Sequence, residues 1–87
     1  MEQYSIYWKK STLKELTAID KKFIPVIITA IEKLANNPFP KGVRKLVAAE
    51  KSFRIRIGDF RIVYSIYSDN LLIEIIRIGQ RKNIYKK

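Results

Sequence analysis

The 87-residue chain contains neither cysteine nor histidine. The first absence removes disulfides, a thiolate nucleophile and the softest metal ligand. The second removes the commonest general base and the commonest metal ligand together. Acidic residues are scarce as well, 8 Asp and Glu against 18 Lys and Arg. They are scattered, so no carboxylate cluster for a metal is expected, and no cofactor is called for. There is no internal repeat, low-complexity tract or interdomain linker. No apolar run approaches the roughly 20 residues that span a bilayer. The opening "MEQYSIYWKK" has an acid at its second position and no hydrophobic leader core. These absences predict one domain over 1–87, cytoplasmic and without a membrane partner.

What is present reads as globular: 47% hydrophobic and 30% charged residues. A chain of this length buries about 60% of its unfolded surface, a modest but sufficient core. The net charge is +10 and unevenly spread. Residues 1–43 carry 7 basic and 4 acidic side chains (+3), whereas residues 44–87 carry 11 and 4 (+7). Such asymmetry points to a polyanionic partner, either nucleic acid or an acidic protein.

Hydrophobic periodicity supplies the architecture. "QYSIYW" alternates Tyr4, Ile6 and Trp8 against Ser5 and Tyr7, which predicts an opening strand. "KKSTLKELTAID" places Leu13, Leu16 and Ile19 at helical spacing and ends at Asp20. A second helix begins near Ile24, because Pro25 is comfortable only in a first turn. Its stripe is Ile24, Ile27, Ile28, Ile31, Leu34 and Ala35, and Asn36-Asn37-Pro38 stops it. A loop with a short extended piece at Arg44–Val47 follows, then strands at 53–57, 60–67 and about 71–78. The expected fold class is α+β in the order β-α-α-β-β-β. Two helices pack on one face of a mainly antiparallel four-stranded sheet, and a short basic tail follows. The last strand, "LLIEIIRIG", is apolar on both faces apart from Glu74 and Arg77, which suits a central strand covered at least partly on both sides. An apolar segment of another protein is a candidate cover for the open face.

Chemistry concentrates in "SFRIRIGDFRIVYSIY", residues 52–67. A two-residue Gly58-Asp59 loop pairs Ile57 with Phe60, Arg56 with Arg61, Ile55 with Ile62 and Arg54 with Val63. Phe53, Ile55, Ile57, Phe60, Ile62 and Tyr64 then face the helices, and Arg54, Arg56 and Arg61 share the other face. Like charges opposite one another destabilise a sheet by a few tenths to about 1 kcal/mol. A placement that works against folding in this way suits an anion. The tail "IGQRKNIYKK" adds Arg81, Lys82 and Tyr85 just past the last strand, whose end returns toward the Gly58-Asp59 turn and so toward Arg61. A basic concavity with one phenol fits a phosphodiester backbone and a stacked base.

The segment "SFRIRIGDFRIVYSIYSDNLLIEIIRIGQRKNIY" strongly resembles the signature half of RelE/ParE-type toxins of bacterial and archaeal toxin–antitoxin pairs. The strand–Gly–Asp–aromatic–Arg hairpin and the terminal "IGQR…IY" carry the likeness, and the N-terminal strand and helices extend it over nearly the whole chain. The RelE branch implies a ribosome-dependent endoribonuclease that cuts messenger RNA in the A site. Its reaction is attack of the 2′-hydroxyl on the adjacent phosphate, leaving cyclic-phosphate and 5′-hydroxyl ends without a metal. By resemblance, Arg54 and Arg56 stand at the family's two basic strand positions, Arg61 at its hairpin Arg, Arg81 at its post-strand Arg and Tyr85 at its C-terminal Tyr. Arg61 and Arg81 would meet transition-state charge, Arg54 and Arg56 would clamp phosphate with Lys82 nearby, and Tyr85 would act as base or stacking group. The implied partners are an acidic RelB-like antitoxin, the ribosome and its message, with operator DNA reached only through the antitoxin complex.

The sequence departs from that pattern where proton transfer is concerned. RelE itself carries lysines where Arg54 and Arg56 stand, and arginine, with a pKa above ~12, stays protonated. Where relatives use histidine near the C-terminus, this chain has Gln80 or Asn83 nearby. Proton abstraction then falls to Tyr85, to Lys82, to the ribosome, or to no positioned group. Two other readings stay open: a ParE-like toxin that inhibits DNA gyrase without cleaving RNA, and a non-catalytic RNA-binding module.

Overall fold

A computed structural model describes residues 3–46 and 51–80, with Gln80 described through its backbone only. Strand β1 (Ser5–Trp8) leads into helix α1 (Lys10–Thr17). A 3₁₀ turn at Lys21–Phe23 follows, opened by Asp20, whose carboxylate accepts from the Lys22 amide at 3.1 Å. Helix α2 (Ile24–Leu34) then starts where Pro25 demands it, with the proline in the first turn. Beyond it come β2 (Arg44–Lys45), β3 (Ser52–Ile57), β4 (Phe60–Tyr67) and β5 (Leu72–Gln80). The spatial order is β1-β5-β4-β3-β2, with β1 parallel to β5 and every other pair antiparallel.

The expected α+β class therefore holds, with one more strand than the four predicted. Residues 44 and 45 pair with Arg54 and Phe53, which turns the short extended piece into the edge strand β2. The hairpin register agrees pair for pair with the sequence reading, from Ile57↔Phe60 to Arg54↔Val63. Gly58 has φ +59°, the left-handed conformation such a tight turn requires and a β-carbon disfavours.

The core lies between α2 and the sheet. Ile27, Ile31 and Leu34 from the helix meet Ile55, Phe60, Ile62, Tyr64 and Ile66 from the hairpin and Ile73, Ile75 and Ile78 from β5. The β5 set breaks strict alternation, because 73 and 75 share a parity that 78 does not. A β-bulge resolves this: Val63 pairs with Arg77 but Tyr64 pairs with Ile75, so Ile76 is the extra residue. All three buried isoleucines thus face the helices. The apolar look of both strand faces comes from this change of parity, and only Leu72 and Ile76 remain as half-buried apolar residues off the core face.

Of the expected Leu13–Leu16–Ile19 stripe, Leu16 and Ile19 pack against the core and Leu13 does not. Leu13 is 44% exposed, whereas Thr12 is fully buried. The reason is that β1 ends at Trp8, opposite Ile75, and leaves the rest of the β5 edge unpaired. Helix α1 covers it with polar groups: the Lys9 amide (3.3 Å) and the Thr12 hydroxyl (2.8 Å) both donate to the Ile75 carbonyl. An open strand edge is thereby closed without another strand.

Tyr64 ties the loop after α2 to the sheet. Its ring is buried and its phenol donates to the Pro38 carbonyl at 2.8 Å. Burial disfavours the phenolate and raises the pKa well above the ordinary tyrosine value. The folded state therefore holds its proton at pH values where the unfolded chain has released it. The stabilisation is complete below about pH 10 and declines as pH rises further. Tyr64→Phe should cost about 1 kcal/mol at neutral pH. That deficit should shrink above pH 10, as urea titrations of both proteins at several pH values would record.

Candidate nucleic-acid interface

The observed register defines the sheet face opposite the helices residue by residue. Across the row nearest the hairpin turn stand Arg56 (β3), Arg61 (β4) and Gly79 (β5). In the next row stand Arg44 (β2), Arg54 (β3), Val63 (β4) and Arg77 (β5). Two pairs of arginines thus sit directly across from one another, Arg44↔Arg54 and Arg56↔Arg61. Each such pair opposes folding by a few tenths to about 1 kcal/mol, so the face accumulates positive charge at a cost that bound phosphate would offset.

The side chains differ in setting. Arg56 is exposed, and its Nε donates to the Gly58 carbonyl at 3.1 Å, which draws the guanidinium to the turn. Arg54 and Arg61 are half-buried, and the Nε of Arg61 is itself buried. Gly79 stands beside Arg61 in this row and contributes no side chain. The structure thus brings Arg54, Arg56 and Arg61 together as the sequence predicted. Arg81, Lys82 and Tyr85 lie outside the described residues. The last described residue before them, Gln80, pairs with Phe60 next to the hairpin turn.

Arg44 and Arg77 were not singled out as site residues from the sequence. The signal for Arg44 was the short extended piece, whose partner strand the local pattern does not specify. Arg77 stood out only as a charge in an apolar strand, and the bulge is what aligns it with Val63.

Glu15 on α1 sets the end of β5 that borders this face. Its Oε1 accepts from the Ile78 amide at 2.9 Å, and its Oε2 lies 4.0 Å from the Arg77 Nε. Both groups are partly exposed, so the ion pair itself adds little; the backbone bond matters more. Glu15→Ala leaves the Ile78 amide without its acceptor and should destabilise the domain by about 1–3 kcal/mol. Glu15→Gln keeps an acceptor oxygen and should cost less than half as much. Thermal melts of the two variants would check the order.

Comparison with known proteins gives a consistent result. A family model described as the ParE toxin of the type II toxin–antitoxin system parDE matches residues 6–85. A protein of Methanocaldococcus jannaschii named as a RelE1 toxin is 30% identical over 87 residues, covering 97% of each chain. The RelE–RelB complex of Pyrococcus horikoshii OT3 superposes with a TM-score of 0.81 at 24% identity, over 93% of this chain and 98% of that one. The RelB–RelE antitoxin–toxin complex of Methanococcus jannaschii gives 0.75 at 26% identity, over 91% and 94%.

Proposed function

Because the chain belongs to the RelE/ParE superfamily of type II toxins, we propose that it is a RelE-like messenger-RNA endonuclease that cuts in the ribosomal A site. The single observation that carries the reading is the arginine face. Arg54, Arg56 and Arg61 gather on one side of the hairpin, where Arg56 and Arg61 stand directly across from one another. In the reaction, the 2′-oxygen bonds to the adjacent phosphorus while the bond to the 5′-oxygen breaks. The 2′-hydroxyl proton is taken up and a proton reaches the departing 5′-oxygen. Arg61 and Arg81 stabilise the dianionic phosphorane, Arg54 and Arg56 hold flanking phosphate with Lys82, and Tyr85 serves as base or stacking group. Arginine offers orientation and charge stabilisation, which are large terms in phosphoryl chemistry. An acidic RelB-like antitoxin neutralises the toxin: a +10 domain attracts such a partner, and the RelE–RelB complexes among its structural neighbours support the pairing.

The test is induction of the protein followed by mapping of 5′ ends on translated messages. Codon-phased cuts that disappear in the Arg61→Ala, Arg81→Ala double variant are expected. The matching family model is described by the ParE toxin, which favours a second reading, inhibition of DNA gyrase. Intact messages together with blocked supercoiling would establish that reading in place of the first.

A further inference from the structure

The open sheet face does not end at the arginines. Two rows beyond Arg61 along β4, the register sets Tyr7 (β1), Glu74 (β5), Ser65 (β4) and Ser52 (β3) side by side on the same face. Ser52 and Ser65 are buried and bond to each other at 2.9 Å, so they form a closed floor. Tyr7 is 54% exposed. Glu74 is half-buried, and its Oε1 accepts from the Tyr67 phenol at 3.4 Å. On the Tyr67 ring lies the Lys51 ammonium, 5.6 Å from the centroid. A carboxylate between two phenols is out of character in a +10 chain whose face is otherwise basic. It repels phosphate, so it accepts from a bound strand either a ribose hydroxyl or the N–H donors of a base, and of the two only the base edge varies with sequence.

We propose that Tyr7 and Glu74 form a base-reading subsite for one unpaired guanine of a single strand whose phosphates run along the arginines, an inference that rests on the nucleic-acid reading of that face. Guanine is the base whose Watson–Crick edge presents two adjacent donors, N1–H and the N2 amino group. Uracil flanks its single N3–H with two carbonyl oxygens, and adenine and cytosine set a ring acceptor beside their amino group, so each opposes a carboxylate. The Tyr67 hydrogen bond orients the carboxylate and occupies one of its several acceptor positions. Tyr7 stacks the base, as exposed aromatics on sheet faces do with unpaired nucleotides. With strands about 4.8 Å apart and residues about 3.3 Å apart along a strand, Tyr7 lies on the order of 15 Å from Arg61. The guanine is therefore a flanking nucleotide, several positions from the arginine pair.

The experiment uses the full chain and 2′-O-methylated hexanucleotides, which cannot be cleaved, read by fluorescence anisotropy at fixed salt. The probes are oligo-U and oligo-U carrying one guanine, adenine or cytosine. The guanine probe is expected to bind about tenfold tighter than oligo-U. Glu74→Gln, which keeps an acceptor for Tyr67, should bring all four probes within about twofold of one another without weakening oligo-U. Tyr7→Ala should weaken every probe about five- to tenfold and Tyr7→Phe should restore it. The idea is overturned by an undiminished guanine preference in Glu74→Gln, by Tyr7→Ala binding like the parent, or by a parent that binds no hexamer. Because no probe is cleaved, a loss of message cutting would bear on the endonuclease reading alone, and a flat base profile on the subsite alone.

Discussion

On the endonuclease reading, Arg61→Met should lower message cleavage by about 10²–10³-fold while changing the stability of the domain by no more than about 1 kcal/mol. The rate loss is that expected when a group facing transition-state charge is removed from a preorganised site. The stability effect stays small because ending the repulsion from Arg56, directly across the hairpin, returns a few tenths to about 1 kcal/mol, which offsets the contacts that Arg61 itself gives up. Methionine is chosen to preserve the half-buried stem, whose packing an alanine would forfeit. Cleavage in a translating extract and a thermal melt of the same preparation supply the two numbers. An enzyme that loses activity only in proportion to a fall in melting temperature would place Arg61 among structural residues. Full activity in the variant would remove it from the site.

The second large effect concerns two neighbouring isoleucines. Ile75→Ala should cost about 2–5 kcal/mol, since its side chain is fully buried at the centre of the sheet. In a domain of this size, 3 kcal/mol corresponds to a fall of roughly 12–24 °C in melting temperature. Ile76→Ala should cost about 1 kcal/mol or less, because the bulge leaves Ile76 as the extra, half-buried residue. Identical side chains at adjacent positions thus report the parity of the strand. If both variants fell equally, or if Ile76→Ala were the worse, the bulge would lie elsewhere and Arg77 would no longer align with Val63.

These two experiments also mark how far the sequence could be read. Arg54, Arg56 and Arg61 were legible as one face because the two-residue turn at Gly58-Asp59 dictates the hairpin register locally. The start of α2 was legible for the same kind of reason, since Pro25 is tolerated in few helical positions. The stretch "LLIEIIRIG" is an interior strand, between β1 and β4, as its apolar content predicted, but its apolar residues fit no single alternation, and a cover from outside was one solution. The bulge is another, and it depends on how β5 meets β4 some ten residues away in sequence. Leu13 was expected in the core by spacing, yet Thr12 takes the buried place because α1 must satisfy the backbone of an open strand edge.

The sequence by itself determined the hairpin, the start of the second helix and the clustering of like charge, because each depends on a few consecutive residues and on the period of one element. Only the tertiary structure decided that Arg44 joins Arg54, that Glu15 holds the β5 edge beside the arginines, and that Tyr7 and Glu74 share a row with the buried serines. Those placements depend on contacts between distant segments, where partner choice follows from the packing of the whole sheet and is not written in any local period.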